Sequence, residues 1–104
     1  MQVRIEDRVF ISLTEFYAIS LALHPTLDKA TVTAKKQRLI EALKSLSYCA
    51  GAFPLASVRE DWIAKQYHDF HAEGFHFAYK IETLSSLERV VVVYDVCHDL
   101  LFHN

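Results

Sequence analysis

The chain has 104 residues, 52% of them hydrophobic, and a formal net charge of −2. That length holds one compact domain and excludes two. The charge balance excludes a general basic field for nucleic acid, and two glycines and two prolines argue for long regular elements rather than disorder.

No stretch approaches the about 20 apolar residues of a membrane helix. Arg4, Glu6, Asp7 and Arg8 near the start do not form a signal peptide. Cys49 and Cys97 have no metal or redox spacing, so free thiols in a reducing, cytoplasmic setting are expected. Charge is uneven along the chain. Lys29, Lys35, Lys36, Arg38 and Lys44 face Glu41 alone within 29–44, whereas 65–104 is acidic on balance. The plain reading of the basic run is a solvated helix face.

Gln2-Val3-Arg4-Ile5-Glu6 alternates in polarity and predicts a short first strand. Asp7 can cap a helix over about 8–23, where Val9, Phe10, Leu13, Phe16, Tyr17, Ser20 and Leu21 recur at helical spacing. His24-Pro25 stops it, because the residue before proline avoids helical geometry. Thr26 can cap a second helix to about Tyr48, with Val32, Leu39, Ile40, Leu43 and Leu46 along one side and Gly51 closing it. The short link predicts a helical hairpin. Phe53-Pro54-Leu55 reads as a loop or weak strand, and Ser57-Val58-Arg59-Glu60 as a capping box for a turn or two of helix.

Residues 65–98 predict three antiparallel strands. Glu73-Gly74 can form a two-residue hairpin loop, since glycine accepts positive φ. Ala72 then opposes Phe75, and His71 opposes His76. One face carries His68, Phe70, Phe75, Phe77, Tyr79 and Ile81. The other carries Lys65, Tyr67, Asp69, His71, His76, Lys80 and Glu82. A second turn centred between Ser85 and Ser86 puts Asp95 opposite His76. Tyr94, Val90, Val92 and Val96 then lie on the apolar face, and Val91, Val93, Asp95 and Cys97 on the polar one. The first strand is expected to join Arg89–His98 in parallel, the helical hairpin serving as crossover. The fold class is α+β, two-layer, one domain over 1–104: an N-terminal strand, a helical hairpin, then an antiparallel three-stranded meander.

That order, with Phe75-His76-Phe77-Ala78-Tyr79-Lys80-Ile81 followed by Val90-Val91-Val92-Val93-Tyr94-Asp95-Val96-Cys97-His98, resembles the RelE/ParE superfamily of bacterial toxins. Tyr79-Lys80-Ile81 is similar to the family's Tyr-Arg-hydrophobic pattern, and His98-Asp99 stands where it closes with His-Arg. The resemblance implies a cytoplasmic toxin of a toxin–antitoxin or plasmid-stabilisation system, paired with an antitoxin protein. It implies either mRNA cleavage on the ribosome or inhibition of a topoisomerase, DNA gyrase. Tyr67, His76, Lys80 and His98 are the positions that match the family's working face. The family's ribosome-acting members are strongly basic. This chain is slightly acidic, and Asp99 replaces the arginine, which weakens phosphate binding because that affinity scales with neutralised phosphates.

Metal-independent phosphodiester cleavage needs a base, an acid and a cation. His71, His76 and His98 can supply the first two, and Lys65 or Lys80 the third. The plainer reading of Lys65, Lys80, Glu82 and Asp69 is cross-strand surface pairing. A row of His71, His76 and Asp95 has ligands that suit a transition metal, but His68-x2-His71-x4-His76 matches no strong metal signature. No metal or other cofactor is expected, and a hydrogen-bonded network is the favoured reading. The aromatic face reads as core rather than as a base-stacking platform. Trp62 packs on the core or a sheet edge, or else anchors a partner. The apolar tail from Leu100 to Asn104, with Leu101 and Phe102, is a candidate contact for a partner or a homodimer. The favoured function is a toxin acting by contact with a ribosome or protein target. The second reading is a ribosome-associated endoribonuclease using His76, His98, Lys80 and Tyr67. The third is a non-toxic protein-binding regulatory module.

Overall fold

A computed structural model describes residues 1–102; the last two residues of the apolar tail, 103–104, lie outside the described residues. The elements are β1 (Gln2–Ile5), α1 (Asp7–Leu23), α2 (Lys29–Lys44), α3 (Leu46–Cys49), α4 (Glu60–Ala64), β2 (His68–Ala72), β3 (Phe75–Thr83) and β4 (Arg89–His98). Single 3₁₀ turns follow α3 at Ala50–Ala52 and β4 at Asp99–Leu101. The class is α+β: one four-stranded mixed sheet, ordered β1-β4-β3-β2, with helices packed on it. Among the described residues, no helix is long and apolar enough to cross a membrane.

The two long helices form for the reasons their spacing gives, but their N-caps differ by a residue or two, and α2 ends at Lys44 with Leu46–Cys49 as the separate α3 rather than running on to Tyr48 and Gly51. Glu6, not Asp7, is the N-cap of α1 and makes no side-chain cap. Asp7 sits inside the first turn, where its charge complements the helix dipole. Val9, Leu13 and Tyr17, at every fourth position, are buried, while Phe10 is 42% exposed. Asp28, not Thr26, caps α2, accepting a hydrogen bond from the Thr31 N–H at 2.7 Å. That bond, above all, holds the Asp28 carboxyl below the usual carboxylate range. Arg59 rather than Ser57 is the N-cap of α4, without a side-chain bond, so the capping box does not form.

The first hairpin has the expected register: Ala72 opposes Phe75 and His71 opposes His76. Both loop residues take positive φ, Glu73 at 52° and Gly74 at 83°, as a tight two-residue hairpin turn demands. The open side of β2 is covered. Asp69 N–H donates to the Pro54 carbonyl, Ala56 N–H donates to the Tyr67 carbonyl, and Leu55 bridges to His68.

The second register corrects the expectation. β4 slides so that Cys97, not Asp95, opposes His76, and Asp95 opposes Ala78. Two local features cause this. The turn is drawn closed by Leu84 N–H to Glu88 O and by Leu87 N–H to Leu84 O, with Leu87 at φ 67°. A bulge then falls between Ala78 and Tyr79, whose partners are Asp95 and Val93, so Tyr94 is the extra residue. Val91 and Val93 consequently enter the main core with Phe70, Phe75, Phe77 and Tyr79, where Val90 and Val92 were expected. Tyr94 leaves the core face and stacks on Tyr67.

The sheet is covered on both sides. Helices α1, α2 and α3 supply Val9, Leu13, Val32, Leu39, Leu43 and Leu46 to one face. On the other, Trp62 of α4 and Phe102 pack with Ala56, Ala78 and Cys97. Trp62 is 1% exposed, and its indole N–H donates to Asp95 Oδ2 at 3.0 Å. The side opposite the long helices is therefore part titratable surface, part second core.

Candidate functional site

The site grows out of the first hairpin. Directly opposed residues share a face, so pairing His71 with His76 brings their rings together, stacked at 4.3 Å and 21°. Asp69, two residues before His71 on β2, points the same way. The chain leaves β4 and turns back at Asp99, whose N–H donates to the Gly74 carbonyl at 3.0 Å. That bond seats the Asp99 carboxylate over both imidazoles.

His76 is held on both nitrogens. Nδ1 lies 2.9 Å from Asp69 Oδ1 and Nε2 lies 2.7 Å from Asp99 Oδ1. His71 Nε2 lies 3.0 Å from the other oxygen of Asp99. Phe102 closes the assembly, its ring 3.7 Å from that of His76 and parallel within 3°. The His76 side chain is 15% exposed and Asp69 18%, whereas Asp99 and His71 are about half exposed. The hydrogen bond from His71, followed by the contribution of His76, holds the Asp99 carboxyl below the usual range. His71, His76 and Asp99 offer three ligand atoms within 4.8 Å of one another.

The other candidate residues lie elsewhere. His98 opposes Phe75. Its ring stacks on Phe16 at 4.7 Å, meets Phe75 edge-on at 5.1 Å, and its Nδ1 accepts the Leu100 N–H. It therefore faces the helices, on the opposite side of the sheet from His76. Lys80 is four residues beyond His76, about 13 Å along an extended strand. It lines a shallow groove of about 390 Å³ with Lys65, Gln66, Tyr67, Glu82 and Tyr94. There Tyr67 stacks on Tyr94 at 5.2 Å, and the Tyr94 hydroxyl donates to Glu82. Burial, then the bond to Glu82, pushes the Tyr94 hydroxyl up to about 12. Burial, then Asp95, raises that of Tyr67. The four residues His76, His98, Lys80 and Tyr67 are thus spread over three environments.

Compared with protein-family models, curated proteins and solved structures, the chain gives no match.

Asp95 does not complete the histidine row. It is engaged by Trp62, by the Val96 N–H at 2.9 Å and, at 3.8 Å, by Arg8. Asp99 takes the place expected for it, a role the sequence does not signal because it depends on how the chain exits β4. Of the three residues considered as partner contacts, Trp62 and Phe102 are 1% and 2% exposed, while Leu101 is at the surface with Leu100. A further linkage that the spacing hides is Arg59, whose guanidinium donates to Cys97 Sγ at 3.1 Å and to Asp61 at 3.2 Å.

Proposed function

We propose that this chain is a toxin-like domain of the RelE/ParE type that inhibits growth by gripping a protein or ribosomal target, rather than by cutting RNA, and is restrained by an antitoxin. The layout supports the family reading: a first strand, two long helices, then three strands in one sheet. The clamp on His76 carries the preference for contact over cleavage. A general base needs a free nitrogen facing its substrate, and both nitrogens of His76 meet carboxylates. Two aspartates beside the ring repel a phosphate at short range. His98 faces the helices, and Lys80 lies too far along β3 to neutralise a phosphate held at His76.

Contact has material to work with. Phe10, Ile11, Ile19 and Leu23 of α1, with Leu100 and Leu101, are exposed apolar side chains, more than a lone surface leucine would be. Controlled expression in a bacterial host tests the reading. Arrest is expected with the natural chain and with the His76→Ala, His98→Ala double variant. Arrest lost in the double variant, together with RNA cleavage by the natural chain, would instead favour an endoribonuclease. No arrest by the natural chain would favour a regulatory binding module.

A further inference from the structure

We infer that His71, His76 and Asp99 form a binding site for a divalent transition-metal ion of the zinc class, with Asp69 as the carboxylate that orients His76. The site is independent of the growth-inhibition reading and stands or falls on metal binding alone.

Hydrogen-bond bookkeeping at His76 is the first argument. A neutral imidazole has one N–H and one lone pair. Here each ring nitrogen faces a carboxylate oxygen, at 2.9 Å and 2.7 Å. With the proton on Nδ1 for Asp69, the ring's one lone pair is on Nε2, which lies 2.7 Å from an Asp99 oxygen, so the two atoms are placed to share a cation. A divalent metal ion is such a cation. The metal form matches a recurring arrangement, in which a liganding histidine donates its other N–H to a carboxylate that fixes its tautomer and orientation.

The second argument is convergence. The three ligands come from β2, β3 and the turn after β4, yet their atoms fall within 4.8 Å of one another. Bonds of about 2.0–2.1 Å in a tetrahedral site put neighbouring ligand atoms about 3.3 Å apart. The two Nε2 atoms now lie 2.7 Å and 3.0 Å from different oxygens of Asp99, so a small shift of the carboxylate and of His71 is needed to bring all three ligands onto one ion. Asp99 and His71 have the surface freedom to give it. His76 is the fixed member, packed between the Phe102 and His71 rings. Two imidazoles and one carboxylate are a borderline-soft set that suits zinc or cobalt over calcium or magnesium. They leave a fourth position open to solvent or to a partner's side chain. Each imidazole coordinates in its neutral form, through Nε2 with its proton on Nδ1.

The test uses the full chain, produced without a histidine tag, and titrates it with zinc(II) or cobalt(II) ions alone. One ion per chain is expected, with the intense visible absorption of four-coordinate cobalt. His71→Ala, His76→Ala and Asp99→Ala should each weaken affinity by about 100-fold or more, and Asp69→Asn by about 10- to 100-fold. His24→Ala should change nothing. Asp69→Asn keeps the three ligands and nearly the same shape, so it decides the question even if a ligand variant fails to fold. Affinity unchanged by Asp69→Asn or by the ligand substitutions, or the faint spectrum of six-coordinate aquated cobalt, would mean an adventitious ion only and would overturn the site.

Discussion

His76 and His98 lie on opposite faces of one sheet: His76 opposes Cys97 beside Asp69 and Asp99, while His98 opposes Phe75 and stacks on Phe16. Among the described residues the two imidazoles share no hydrogen-bonding or ring partner, their one link being the backbone turn at Asp99–Leu101 that His98 caps. Sites without shared partners add their effects within about 0.3–0.5 kcal/mol. His76→Ala and His98→Ala should therefore be additive in urea unfolding, and coupling well above that limit would contradict their separation.

Trp62 is a core residue that also satisfies Asp95. Trp62→Phe removes the indole donor and should cost about 1–3 kcal/mol by leaving a part-buried carboxylate short of a partner. Trp62→Ala adds a cavity and should cost about 3–5 kcal/mol. Equilibrium denaturation measures both. A change below about 0.5 kcal/mol for Trp62→Ala would show that the second core is not closed.

Tyr79 is fully buried, donates its hydroxyl proton to the Ala50 carbonyl, and is pushed up to about 12, chiefly by burial. Tyr94 is raised to about 12 as well. Both folded values stand above the ordinary tyrosine value of 10.0. Their contribution is complete below pH about 10 and is lost as pH rises toward about 12, because the unfolded chain gives up those protons first. Phenolate absorbance should thus rise together with loss of fold in that window. Tyrosines that titrate fully near pH 10 in a chain that stays folded would contradict the packing.

Gly74 holds φ 83°, and a Cβ built on it meets nothing within 4 Å. Gly74→Ala should therefore cost only the left-handed backbone penalty, about 1–2 kcal/mol. Thermal unfolding checks this. A much larger loss would mean that the turn serves as more than a loop.

The first hairpin was legible because Phe70, Phe75 and Phe77 alternate with Asp69, His71 and His76 around a glycine, so one register alone buries the aromatics. The next pairing was not. Val90-Val91-Val92-Val93 is apolar at every position and carries no phase, and all four prove buried. The slip then depends on Leu87 at positive φ and on the bulge at Tyr94, neither of which has a strong residue signature. The His71–His76 pair follows from the legible half. The Asp99 clamp follows from the other half and could not be read.

Growth during controlled expression of the His76→Ala, His98→Ala double variant tests the contact reading most directly, once its circular dichroism and urea midpoint show a folded chain. The account predicts arrest as strong as that caused by the natural protein. A folded double variant that no longer arrests growth would contradict it.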